Sequence, residues 1–84
     1  MNESVVLYNK VIKEDLSTYS QWRVTVNEFR GIQYFGIREY FLTFEGEWEP
    51  TKKGISIPLE ITFTKELFEA LKDLLSKAET DDWL

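Results

Sequence analysis

Residues 21–44 read QWRVTVNEFRGIQYFGIREYFLTF. In the first part Trp22, Val24 and Val26 alternate with Arg23, Thr25 and Asn27, the period of two that belongs to a half-buried strand over residues 21–29. Arg30-Gly31 can turn the chain tightly, because glycine accepts a positive φ without steric cost. Residues 32–44 then form a longer strand rich in aromatic and β-branched side chains. Its faces are Gln33, Phe35, Ile37, Glu39, Phe41 and Ile32, Tyr34, Gly36, Arg38, Tyr40. Neither is cleanly polar, so both are expected to meet something other than water. Gly36 marks a bulge, a bend or a close backbone approach. Glu45-Gly46 reads as a hairpin turn into Glu47.

Outward from this hairpin, residues 4–12 are apolar and β-branched enough for a first strand, and residues 13–19 are a polar connection. A further strand is expected around residues 54–61, with Pro58 at an edge or strand end. The period then changes. Leu67, Phe68, Leu71, Leu74, Leu75 and Ala78 recur at three and four residues, a helical stripe. Thr64 reads as its N-cap, with Glu66 in the first turn. Four strands and one C-terminal helix make an α+β fold. The expected division is a domain over residues 1–78 and an acidic tail over residues 79–84.

Eighty-four residues form one domain, and a chain this short buries only about 60–65% of the surface it exposes when unfolded. Leu67, Phe68, Leu71, Leu74 and Leu75 are more apolar surface than one sheet face is expected to cover, so a dimer is expected. There is no cysteine, which excludes disulfides, thiolate nucleophiles and cysteine-based metal sites. No apolar run approaches the ~18 residues of a membrane span, and Met1-Asn2-Glu3-Ser4 has no signal-like character. The expected location is the cytoplasm of a bacterium or a virus-infected cell, or the nucleus of a eukaryote. The formal charge is −5, from 10 basic and 15 acidic residues. Taken alone that opposes nucleic-acid binding, but residues 63–84 hold three lysines against six acids. The strand region is left nearly balanced, and Arg23, Arg30, Arg38, Lys52 and Lys53 could share a face there.

Phe29-Arg30-Gly31, Ile37-Arg38-Glu39-Tyr40, Glu45-Gly46-Glu47 and Pro50-Thr51-Lys52-Lys53-Gly54-Ile55-Ser56 follow one another in order. Together they resemble the single-stranded DNA-binding domain of the positive-cofactor-four family of transcriptional coactivators, which has bacterial and viral relatives. The resemblance spans residues 22–56, and the helix in pattern only. It implies a curved four-stranded antiparallel sheet with one C-terminal helix, paired into a homodimer mainly through the helices. It also implies that Phe29, Arg30, Arg38, Phe41, Lys52 and Lys53 face nucleic acid. The chain departs from the family at Asn27 and Ile32, where relatives often carry basic residues, and at Phe41, which replaces a frequent tryptophan. Residues 58–64 also fit the family pattern poorly.

Sequence-tolerant binding of a single strand needs cations along the backbone track and flat rings for the bases. Here the five basic residues interleave with Trp22, Phe29, Tyr34, Tyr40, Phe41 and Trp48. Those rings could equally be core or dimer interface, as expected for Trp22, Phe35 and Phe68. Arg38-Glu39 could serve a cross-strand ion pair, and Lys52-Lys53-Gly54 an ordinary polar hairpin loop. Glu45, Glu47 and Glu49 alternate along one strand, which cannot converge oxygens on a cation from several directions. They read as a solvated edge that discourages edge-to-edge pairing. No metal or other cofactor is expected. Asp81-Asp82-Trp83-Leu84 resembles the partner-recruiting tails of single-strand binding proteins, or caps the helix or fills the dimer interface. Without histidine or cysteine the usual base–nucleophile pairs are missing, so no catalytic residue is assigned and an enzyme is not expected. The expected function is sequence-tolerant single-stranded DNA binding in replication, recombination or transcription. The alternative is a transcription coactivator or protein-interaction module on the same fold, engaging replication or transcription proteins through the tail.

Overall fold

The computed structural model describes residues 4–81. Four strands, β1 (Ser4–Asp15), β2 (Ser20–Phe29), β3 (Ile32–Leu42) and β4 (Trp48–Pro58), are followed by the helix α1 (Ile61–Asp81). The strands form one open antiparallel sheet in sequential order, β1-β2-β3-β4. Its central hairpin is the stretch 21–41. Phe29 pairs with Ile32, and Arg30 and Gly31 between them both take positive φ, 53° and 80°. That is the two-residue turn whose twist matches the flanking strands. The β3–β4 turn closes at Gly46, φ 84°, with Thr43 N–H donating to the Glu47 carbonyl at 2.8 Å. The β1–β2 turn is held by Asp15, whose Oδ1 accepts from the Ser17 hydroxyl at 2.6 Å and from the Ser17 N–H at 3.0 Å.

Several boundaries differ from expectation. β1 runs to Asp15, because residues 13–15 continue the ladder against Trp22, Gln21 and Ser20. β4 occupies 48–58 rather than 54–61, so Lys52-Lys53-Gly54 lies within a strand and not in a hairpin loop. The helix begins at Ile61, three residues before the expected cap. Thr64 is therefore helical, its N–H donating to the Glu60 carbonyl at 2.8 Å. The cause is visible locally. Pro58 ends β4 and Leu59 N–H closes onto the Gln33 carbonyl at 2.7 Å, after which the chain is free to coil. The apolar alternation of Ile57, Leu59, Ile61 and Phe63 hides that switch in the sequence. Gly36 is a close approach rather than a bulge: an added Cβ would lie 3.1 Å from Thr25 Oγ1 and 3.2 Å from the Ile55 carbonyl.

The strands contact one another in order, and α1 packs on none of them. The radius of gyration is 15.2 Å, against about 12 Å for a compact domain of this length, and the molecule is only 17 Å thick along its shortest axis. Ala78 is the one buried hydrophobic side chain among the described residues. Phe63, Phe68, Leu71, Leu74 and Leu75 are exposed along the helix, and Trp22 and Phe35 are only half-buried on the sheet. The expected core positions thus exist as surfaces without a cover inside one chain.

Candidate nucleic-acid interface

The register sorts the sheet into two unlike faces. Cross-strand partners in an antiparallel ladder point the same way. One face therefore carries Trp22, Val24 and Val26 of β2, Phe35 and Ile37 of β3, and Ile55 and Ile57 of β4. It is an apolar surface across β2, β3 and β4, interrupted beside Trp22 by Glu39 and bordered on β1 by Lys10 and Lys13. The opposite face carries Gln21, Arg23, Thr25, Asn27 and Phe29 of β2 beside Tyr40, Arg38, Gly36, Tyr34 and Ile32 of β3. Strands β2 and β3 place no carboxylate on it; β1 adds one, Glu14, which stands opposite Gln21 and accepts from its side-chain amide. A molecule with net charge −5 can in this way present a cationic, ring-lined track.

Of the residues expected to face nucleic acid, Phe29, Arg30 and Arg38 belong to this polar face or its end. The Arg30 guanidinium lies over the Phe29 ring, 5.0 Å from its centroid. Arg38 is half-buried and its Nη1 donates to the Thr51 carbonyl at 3.0 Å; it does not pair with its neighbour Glu39, which faces the other way opposite Trp22. Phe41 is exposed but sits at the far end of β3, opposite Ser20, and the pleat turns it to the apolar side. About 30 Å of strand separates the Phe29–Ile32 pair from it. One chain therefore does not gather Phe29 and Phe41 at one point.

Lys52 and Lys53 lie where β4 bulges between the Arg38–Gly54 and Tyr40–Pro50 pairs. Gly54 makes this possible. Its φ is 140°, and a Cβ there would overlap the Ile37 carbonyl and come within 2.7 Å of Arg38 Cα. Thr51 pins the bulge, donating from Oγ1 to the Glu39 carbonyl at 3.0 Å and accepting from Lys53 N–H at 3.1 Å. Lys53 reaches toward Glu39, 3.9 Å away, in a pair whose lysine is exposed and whose carboxylate is half-buried. Lys52 is exposed.

Sequence reasoning counted Arg23 and Tyr40 among the interleaved cations and rings without joining them to the site; the register joins them. The Arg23 guanidinium stacks on Tyr40 at 4.3 Å, and its Nε and Nη2 donate to Gln21 Oε1 at 3.0 and 2.8 Å. Gln21 is 5% exposed and donates from its own amide to Glu14. The i, i+2 spacing of Gln21 and Arg23 was legible, but their facing partners were not.

Beyond the far end of the sheet, Tyr19, Phe41, Leu42, Thr43, Phe44 and Glu45 line an open cleft of about 730 Å³, and Phe44 is fully exposed. No group of three or more metal-ligating side chains occurs among the described residues, and no described helix is long and apolar enough to cross a membrane. Asp82, Trp83 and Leu84 of the expected recruiting tail lie outside the described residues, as does the side chain of Asp81.

Comparison with known proteins finds a match of residues 17–60 to the family described as Transcriptional Coactivator p15 (PC4). The RNA polymerase II transcriptional coactivator SUB1 of Saccharomyces cerevisiae is 46% identical over 50 residues, covering 58% of this chain. The aligned part is 15% of that protein's length. Among solved structures, the bacteriophage T5 homolog of the eukaryotic transcription coactivator PC4, implicated in recombination-dependent DNA replication, superimposes with a TM-score of 0.74. It shares 40% identity, with 86% of this chain and 80% of that one covered. A PC4 homolog from Burkholderia pseudomallei, 24% identical, shares the fold at a TM-score of 0.56 over 88% of this chain and 95% of that one.

Proposed function

Because the chain belongs to the PC4 family of transcriptional coactivators, its polar sheet face can be read as a ligand track, and we propose that it binds single-stranded DNA, without strong sequence preference, as a homodimer. The observation that carries this reading is the segregation of the sheet: rings and guanidiniums alternate on one face from which β2 and β3 exclude every carboxylate. Phe29 stacks on bases on this face, while Arg30, Arg38, Lys52 and Lys53 meet phosphates; Phe41, exposed at the far end of β3 on the other side of the sheet, stacks on a base only where the strand passes around that end. A single strand suits this arrangement better than a duplex, because its bases are free to lie on rings and its backbone can follow a long, shallow surface.

Dimerisation follows from what one chain leaves uncovered. The apolar sheet face is only half-buried, and the stripe Phe68, Leu71, Leu74, Leu75 of α1 is exposed. A second copy burying them supplies the core that a molecule only 17 Å thick lacks. Biologically, the bacteriophage relative directs the reading toward replication and recombination, and the yeast relative toward transcription. A protein-docking role is favoured by a separate feature, the cleft beside the fully exposed Phe44, which suits an apolar anchor of a partner protein. The acidic tail would add a second docking element.

The test is fluorescence anisotropy of a labelled oligothymidine of about 20 nucleotides, with duplex as control, at several salt concentrations. About four phosphate contacts to a single strand give a log–log salt slope near −2.8. Absence of salt-sensitive binding to the single strand at tens of micromolar protein would remove the DNA reading and leave the docking one.

A further inference from the structure

Arg23 and Arg38 stand directly opposite one another across β2 and β3, where Cβ atoms lie about 4.5–5.5 Å apart and like charges repel. Among the described residues neither guanidinium is in a direct ion pair with a carboxylate. Among the described residues both bond to neutral oxygens, Arg23 to the side-chain carbonyl of Gln21 and Arg38 to the main-chain carbonyl of Thr51. The described ion pairs join other lysines to other acids. Both arginines are also half-buried, so the repulsion is only partly screened by water.

Arg23 is nevertheless held firmly. Two hydrogen bonds to the buried Gln21 and the face of Tyr40 fix its plane. Gln21 itself is oriented by Glu14, whose Oε1 accepts one hydrogen bond from the Gln21 amide and leaves the carbonyl turned to Arg23. The carboxylate is thus kept one side chain away from the guanidinium. Arg23 leans toward Tyr40, and Arg38 reaches toward Thr51, next to the Pro50 that pairs with Tyr40. The two guanidiniums therefore gather at the same end of the face. Each guanidinium has five N–H donors. The bonds above use two of Arg23 and one of Arg38, so three and four remain.

We propose that Arg23 and Arg38 form a paired-guanidinium seat for one phosphodiester group of the bound strand, with the Tyr40 ring supporting Arg23, and that Gln21 is the positioning residue that holds Arg23 in place. The repulsion between the two cations, which no direct ion pair offsets among the described residues, is relieved when an anion with two free oxygens sits across them. The seat rests on the single-strand reading for its natural ligand, but its chemistry can be probed without a strand.

Two measurements separate the ideas. In the first, Arg23→Gln and Arg23→Lys are compared with wild type by oligothymidine anisotropy, with circular dichroism confirming the fold. Arg23→Gln is expected to weaken binding about tenfold, as for a lost charge-assisted hydrogen-bond set, and to reduce the salt slope by about 0.7. Arg23→Lys is expected to keep the slope while losing affinity, since it keeps the charge without the stacked plane. In the second, the arginine Nε–H resonances of wild type and Gln21→Leu are followed during titration with inorganic pyrophosphate. In wild type the Arg23 and Arg38 signals are expected to move together and saturate, and in Gln21→Leu that coupling is expected to weaken. An Arg23→Gln protein with wild-type affinity and slope, or pyrophosphate moving Arg38 alone, would overturn the seat while leaving single-strand binding standing. Joint movement with pyrophosphate in a protein that ignores oligothymidine would instead uphold the seat and remove the single-strand reading.

Discussion

Replacing Leu71 and Leu75 together by alanine tests whether the helix stripe is a dimer surface. In one chain these side chains keep 51% and 52% of their surface exposed. A Leu→Ala change removes three carbons, about 2.4 kcal/mol at about 0.8 kcal/mol per buried methylene. About half of that surface is still open for burial by a partner, so each leucine contributes roughly 1.2 kcal/mol to association per protomer. Two leucines on each of two protomers bring the loss to about 5 kcal/mol, or about 3,000-fold in the dimer dissociation constant. Alanine is a better helix former than leucine, so the helix itself should survive. Sedimentation equilibrium over a dilution series reads the association constant, and circular dichroism at 222 nm reads the helix. If the double variant kept wild-type association with an intact helix, the stripe would not be the interface. A wild-type mass that stayed at 10.0 kDa throughout the micromolar range would refute the dimer altogether.

Three further outcomes are expected. Phe29→Ala should weaken oligothymidine and oligocytidine binding alike by about 1–3 kcal/mol, the worth of one stacked base; equal affinity for wild type and variant in anisotropy would take Phe29 out of the track. Gly54→Ala should lower stability by about 2 kcal/mol or more, because φ 140° and the overlap with the Ile37 carbonyl force the β4 bulge to move; a thermal melt unchanged from wild type would contradict that geometry. Asp15 is held below its ordinary pKa of 3.8, chiefly by the Ser17 hydroxyl and then by the Ser17 N–H. A depressed carboxylate contributes stability above its unfolded pKa and loses it as pH falls through the folded value. Asp15→Asn should therefore melt below wild type at pH 6, with the gap closing as pH drops below about 4 and on toward 2. A gap independent of pH would assign the effect to something other than the charge.

The elements that sequence resolved best are those whose signal is local. Alternation of Trp22, Val24 and Val26, the Arg30-Gly31 turn and the Glu45-Gly46 turn each depend on neighbours within a few residues, and each stands where expected. The junction after β4 was misread because Ile57, Leu59, Ile61 and Phe63 continue a strand-like alternation through the start of a helix. Only the hydrogen bond from Leu59 to Gln33, two strands' worth of chain away, marks where the sheet stops. The candidate site shows the same division. Phe29, Arg30, Arg38, Phe41, Lys52 and Lys53 came from motif resemblance. The Gln21–Arg23–Tyr40 cluster depends on which residue of β3 stands opposite which residue of β2.

From sequence alone came the α+β class, the four strands and terminal helix, the family, and an apolar content too large for one small sheet to hide. These depend on composition and on periodicity within each segment, which the chain carries wherever it is. Register, and with it the sorting of side chains into an apolar face and a ring-and-guanidinium face, was decided by tertiary structure. A slip of one residue in strand pairing would exchange the two faces, and local periodicity does not record that choice where neither face is cleanly polar. Tertiary structure likewise set Arg23 against Arg38, turned Glu39 away from both, and left α1 off the sheet. Such placements arise from contacts between residues far apart in the chain, where no short-range pattern can encode them.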